Sequence, residues 1–481
     1  MTNTAMTSLS SAARRAFLRR LGQLGLAGTA APWALSLAAM GEAAAFSADG
    51  YKALVCVFLY GGNDNGNTLI PYDSASHAEY ATARQSLAIA HASLAGTALT
   101  GQGLPAGREY ALAPQLAPLK PLFDAKKLAL QLNVGPLRVP TTLAQYQART
   151  VPLPPKLFSH NDQQSVWQSS AAEGAVKGWG GRLGDLALAG NGGSALFTCM
   201  SVTGNAVFLS GEHALAYQIG AGGAVAIKGV TQDDGMYGAQ ACREALRTLI
   251  TQPRAQVLES ELNRITARSL DSHATLAGAL AGSTGQFDTV LPDLVDGRRR
   301  TLNQQLKMVA RLIAARGQLG PKRQVFLVSL GGFDTHDNLM DRHPALLTEL
   351  GGALSGFQQA LESIGVGPQV TTFTASDFGR TLVSNGDGSD HGWGSHHMVL
   401  GGAVRGGAFY GQAPQAVLKG PEDVGQGRLL PSTAVDQYAA TLARWFGVAD
   451  SELYGVLPNL ANFGDRAARP DYPVNLGFMT S

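Results

Sequence analysis

Charge is scarce in this 481-residue chain: Asp, Glu, Lys and Arg make up 15% of it, against about 25% in an ordinary soluble domain. The 37 basic and 35 acidic residues leave a formal charge of +2. There is no basic stripe to neutralise phosphates, so nothing argues for nucleic-acid binding. Cysteine is also scarce. Cys56, Cys199 and Cys242 can form at most one pair, and none stands in a CxxC pair. A disulfide-framed fold and a thiolate zinc site are therefore excluded, and all three are expected as small buried hydrophobes. The chain also lacks GxGxxG and GxxxxGK[ST] nucleotide loops, HExxH, and a GxSxG elbow in a strand-to-helix setting. Beyond the N-terminal segment no apolar run is long enough to cross a membrane.

Glycine is abundant, at 59 residues, and the N-terminus is distinctive. SAARRAFLRR leads into a Gly- and Ala-rich, weakly apolar stretch that ends at Ala43-Ala44-Ala45. A basic patch, a modest apolar segment and small residues before a break make a targeting segment. The paired Arg14-Arg15 followed by Ala16, Phe17 and Leu18 resembles the twin-arginine consensus, although Ala13 takes the usual Ser or Thr place. We expect residues 1–45 to be a twin-arginine signal peptide and residues 46–481 to be one domain, periplasmic or otherwise exported, with the export machinery as its first partner. A spanning helix over Leu21–Met40 is the competing reading. Without the leader the count is 33 basic against 34 acidic, or −1.

The mature region reads as α/β. YKALVCVFLY (51–60), KLALQLNV (127–134), QVFLVSL (324–330) and VTTFTA (370–375) are short, continuous apolar runs of the kind buried in parallel sheets. Helical patterns cover 240–317, 346–364 and a segment through Trp445 capped by Ser432 or Thr433; shorter helices are expected over 112–123, at 141–149 and from His160. Residues 196–235 suggest strands or an insertion. Repeated strand, glycine loop and helix give an open sheet, whose ligands sit beyond the carboxyl ends of its strands.

The polar clusters fall at those ends: Asp64; Ser159, His160 and Asp162; Asp334, His336 and Asp337; Asp377 and Arg380; and Asp390, His391, His396 and His397. Five of the ten histidines lie in these short segments. Imidazole with carboxylate suits Zn, Mn or Fe, and the missing thiolates argue against a closed structural zinc site. Simpler roles compete. Asp64 can hold a turn, Asp334 and His336 can cap a helix, Asp377 and Arg380 can pair internally, and Ser159 can be an N-cap.

The leader, FLYGGNDNGNTLIPY, FSHNDQQSVW, FLVSLGGFDTH and TASDFGRTLVSNGDGSDHGWGSHHMVLGG together resemble the bacterial DUF1501 family over essentially the whole mature chain. That family looks distantly similar to the alkaline phosphatase and sulfatase superfamily, which also holds cofactor-independent phosphoglycerate mutase. The resemblance implies an alkaline-phosphatase-like sandwich with a central, mostly parallel sheet flanked by helices. By that order Asp64, Asp334, His336, Asp377, His391, His396 and His397 would hold one or two divalent ions, Zn or Mn, and Ser159 (with Thr68 an outside candidate) would be the nucleophile. Arg380 would steady an anionic oxygen. Two departures from the superfamily stand out: Asp-x-His in place of Asp-x-x-x-His at 334–336, and Phe378 where the superfamily's Asp-His pair has histidine.

The function implied is metal-dependent hydrolysis of phosphate or sulfate esters, on a small anionic or polysaccharide-linked substrate. The alternatives are an exported binding or surface-assembly protein with a degenerate metal site and, third, redox chemistry at a single His/Asp metal.

Overall fold

The computed structural model describes residues 46, 49–192, 196–224, 226–231 and 239–480. The expected twin-arginine leader and its cut at Ala45 lie outside them.

Nine strands form the main sheet: β1 (Lys52–Leu59), β2 (Leu128–Gly135), β3 (Cys199–Ser201), β4 (Ala216–Gln218), β5 (Arg323–Leu330), β6 (Val370–Ser376), β7 (Ser395–Leu400), β8 (Ala408–Tyr410) and β9 (Thr433–Ala434). Their order is β8-β2-β7-β6-β1-β5-β3-β4, with β9 beside β2 on the β8 edge. Every pairing is parallel except those of β7, which runs antiparallel to both β6 and β2. The fold is thus α/β with a mostly parallel central sheet. Within the ambiguous stretch 196–235, β3 and β4 extend the sheet beyond β5.

The longer helices are α1 (Ser74–Arg84), α2 (His160–Ser169), α3 (Trp179–Ala187), α4 (Gln240–Thr251), α5 (Val257–Leu280), α6 (Thr301–Ala314), α7 (Leu339–Ser363) and α8 (Val435–Phe446). Side chains alternate across a strand, so β1 feeds two cores. Val55 and Val57 belong to one core with Leu306, Leu350 and Phe357 of α6 and α7; Leu54, Cys56 and Phe58 belong to the other with Leu183 and Tyr438 of α3 and α8. Burial on both faces explains the unbroken apolar runs of the central strands. Among the described residues no helix is long and apolar enough to cross a membrane.

Three expectations needed correction. The helix through Trp445 has Ala434, not Ser432 or Thr433, at its N-cap position. Residues 112–123 are not one helix: Tyr110–Leu112 is strand, Pro114–Leu119 is 3-10 helix, and only Lys120–Asp124 is α-helical. Pro114, Pro118 and Pro121 remove the donors a continuous helix needs. Of the cysteines, Cys56 and Cys199 are buried but Cys242 is exposed, on α4.

Candidate metal centre

β1 is the middle of a parallel triplet. Leu59 pairs with both Leu330 of β5 and Ser376 of β6. The three strands therefore end side by side, and the loops that follow deliver Gly61-Gly62, Asp334-Thr335-His336 and Asp377 to one edge. Gly61 and Gly62 carry φ of +112° and +83°. A Cβ on Gly61 would lie 2.3 Å from the Asp334 backbone nitrogen, and one on Gly62 would lie 2.5 Å from the Phe378 ring. Only glycine lets the loops close this tightly.

A hairpin, Arg380–Ser384 with Ser389–His391, follows β6 and sets Arg380 directly opposite His391. On the far side α2 begins at His160. The loop before it holds Lys156 and Phe158 at φ of +38° and +73°, a costly conformation for side-chain-bearing residues. In that conformation the Phe158 carbonyl accepts a 2.7 Å hydrogen bond from His391 Nδ1.

These elements bring His160, Asp334, His336, Asp377, Arg380 and His391 together. One donor atom each from His160, Asp334 and His391 lies within 4.8 Å of the other two, and His336 Nε2 stands 3.1 Å from Asp334 Oδ1 and 2.8 Å from His391 Nε2.

All three histidines are tied the same way. The Nδ1 of His160 meets Asp377 Oδ2 at 2.6 Å, that of His336 meets Asp390 Oδ1 at 3.1 Å, and that of His391 meets the Phe158 carbonyl at 2.7 Å. Each partner is an acceptor, so each Nδ1 donates and each ring turns its Nε2 toward the centre. Those Nε2 atoms lie 3.4, 3.1 and 3.3 Å from the Asp334 carboxylate for His160, His336 and His391. His160 Nε2 is a buried atom without a hydrogen-bond partner among the described residues. Three ring nitrogens and a carboxylate facing one another this closely need protons or a cation between them. Donors about 2.1 Å from an ion sit roughly 3.0–3.4 Å apart, so the three distances to Asp334 fit a divalent ion with nitrogen and oxygen ligands, and His336 and His391, at 2.8 Å, would part slightly around it.

Asp377 is fully buried. Its Oδ2 accepts from Gln164 Nε2 at 2.8 Å and Gly61 N at 3.3 Å as well as from His160, while Oδ1 has no partner among the described residues. Its hydrogen bond raises the His160 pKa against the lowering effect of desolvation. For Asp334 burial raises the pKa, but the Arg380 hydrogen bond and charge outweigh it and the net shift is downward. Burial lowers the His391 pKa. Phe378, itself buried, packs its ring 4.8 Å from His160 and 4.6 Å from His391.

Other candidates lie elsewhere. Asp64 serves the turn: it caps the 3-10 turn Asn65–Asn67, accepting from Asn67 N, and forms a buried 2.8 Å ion pair with Arg84 of α1. His396 and His397 are successive residues of β7 and point to opposite faces. His396 Nδ1 accepts from Asn133 N at 3.1 Å, and His397 packs 4.8 Å from the Trp167 ring. Neither joins the cluster. The donors of Arg380 are turned to the protein. It is buried, with Nη1 on Gly61 O and Asp334 Oδ1 and with Nε and Nη2 on Ser389 O. Ser159 Oγ donates to Asp162 Oδ2 at 3.0 Å and makes no capping bond to α2.

The ligand set resting on the family resemblance did not include His160; its signal was the concentration of histidines in strand-end loops. Asp390 was grouped with the late histidines, and the structure makes it the partner of His336.

No curated protein matches the chain. Residues 51–455 match the family described as "Protein of unknown function (DUF1501)", and the chain belongs to that family.

Proposed function

We propose that the protein is an exported, metal-dependent hydrolase of phosphate or sulfate esters, built on one metal centre with a water as nucleophile. The observation that carries this reading is the common orientation of His160, His336 and His391, each with Nδ1 tied to an acceptor and Nε2 turned to Asp334. These four residues would hold the ion, which would supply Lewis acidity toward an ester oxygen and lower the pKa of a water.

The remaining groups position the ligands. Asp377 holds the Nδ1 proton of His160 and fixes its ring, as carboxylates behind metal-binding histidines do. Arg380 orients the Asp334 carboxylate. The N-terminal end of α2, beginning at His160, adds positive partial charge beside an anionic ester. Ser159, engaged with Asp162, is less suited to be the nucleophile than water. Asp64, His396 and His397 lie apart from the cluster, which favours one ion over two. The full engagement of Arg380 favours the second reading, a binding or assembly protein with a structural metal.

Metal content of protein purified without chelator, for wild type and His391→Ala, tests the centre. We expect one ion per chain, lost in the variant, with hydrolysis of phosphate or sulfate esters falling by at least about 100-fold. A metal-free wild type overturns the proposal. Metal bound and lost as expected, but with no turnover on any ester, moves the function to the binding reading.

A further inference from the structure

Far along the chain from the metal centre, α4 and α5 form a helical pair unlike the rest of the molecule. No residue of α4 is buried. A 12-residue helix is marginal in water on its own propensity; packing of an apolar face normally supplies the stability. Leu246 and Ile250 of α4 are half-buried, but other apolar side chains of the pair are left uncovered. Leu249 on α4 is 52% exposed, and Val257, Leu258, Leu262 and Ile265 on α5 are 79, 75, 62 and 48% exposed. The four residues on α5 fall within three turns, and Leu258, Leu262 and Ile265 follow the i, i+4, i+7 spacing of one helix stripe.

At those exposures the five side chains together present on the order of 500 Å² of apolar surface, at the upper end of what the largest patch on a single chain carries, a size that is often functional. An ordinary stable interface buries about 800 Å² per partner, a little over half of it apolar, or roughly 450 Å². The patch alone supplies that apolar share. The charge around it is nearly balanced: Arg243, Arg247, Arg254, Arg264 and Arg268 stand against Glu244, Glu259, Glu261 and Asp271 over residues 240–271. An anionic lipid surface would draw on an excess of basic residues. A surface carrying both signs can instead complement itself across a two-fold axis.

We propose that the α4–α5 face is a self-association surface, and that its occupant is the same face of a second copy of this chain, the two pairs forming a four-helix contact. The metal centre takes no part in this contact.

The test is the mass of the purified protein in solution, by light scattering and sedimentation at tens of micromolar, for wild type and for Leu258→Glu with Leu262→Glu. We expect a dimer for wild type and a monomer for the variant, with circular dichroism and metal content unchanged because both side chains face solvent in the single chain. A dimer that survives both substitutions overturns the proposal, as does a monomeric wild type. In the latter case, flotation of wild type with neutral lipid vesicles would identify a membrane surface as the occupant. A monomeric wild type whose melting temperature falls in the variant likewise overturns the proposal and identifies another segment of the same chain as the occupant.

Discussion

Two buried aspartates near the strand ends show how differently one residue type can be used. Asp64 and Asp377 are each about 1% exposed or less. Asp64 meets a guanidinium, Arg84, at 2.8 Å and caps a turn; Asp377 meets an imidazole whose other nitrogen is directed outward at the centre. Replacing each by Asn should therefore separate structure from site. Asp64→Asn leaves Arg84 charged, buried and unpaired, which typically costs 3–5 kcal/mol when one partner of a buried pair is removed; urea denaturation should show that loss while metal stoichiometry holds. Asp377→Asn keeps the shape but loses the charge that holds the His160 Nδ1 proton. Metal affinity should fall about 10–100-fold, measured by competition with a chelator, with little change in stability. If Asp377→Asn bound metal as tightly as wild type, Asp377 would not position His160.

The strand-end loops work as one unit because β1 lies between β5 and β6 in register. Gly61 is their junction: its N–H donates to Asp377, its carbonyl accepts from Arg380, and its Cα faces the Asp334 backbone. Gly61→Ala would force a methyl to within 2.3 Å of Asp334 N at a φ of +112°, a backbone region that penalises any Cβ. We expect a loss of about 2 kcal/mol or more in stability together with loss of metal binding, since Asp334 must move. A variant with wild-type stability and metal content would show that the loops adjust independently.

At this scale much of the molecule is legible in its sequence. Unbroken apolar runs mark the central strands because those strands are buried on both faces, and glycine-rich polar loops at their ends mark Asp334, His336, Asp377 and His391. Pairing between distant segments is not legible. Nothing local tells that Arg84 will reach Asp64, or that Arg380 will lie opposite His391 and spend its donors on Ser389. His396-His397 looks like a ligand pair until the residues are placed in β7, where strand alternation sends them apart.

For the whole molecule, burying neutral histidines couples folding to pH. His343, His396 and His397 are almost wholly enclosed. Burial lowers their pKa values to about 4, 4 and 3 from 6.5, with a small further push on His397 from the charge of His396. A depressed folded pKa means that the unfolded chain takes up the proton first. The stability these groups contribute is therefore present above pH 6.5 and is lost as pH falls toward the folded values. Asp436 acts oppositely. Burial raises its pKa from 3.8 to about 6, so its contribution is present below pH 3.8 and is lost as pH rises through 6. Between those limits three histidine protons oppose one carboxyl proton. The net effect of these four groups is a fall of roughly 3 kcal/mol per pH unit on acidification. His397→Gln removes one of the three without touching the metal centre. Urea denaturation of wild type and variant in the presence of chelator, from pH 7 to pH 4, should give curves that converge as pH falls, the variant losing less stability by about 1.4 kcal/mol per pH unit below the unfolded histidine pKa. Parallel curves would mean that His397 titrates alike in folded and unfolded chains, and that its enclosure between Trp167 and Tyr438 does not keep it neutral.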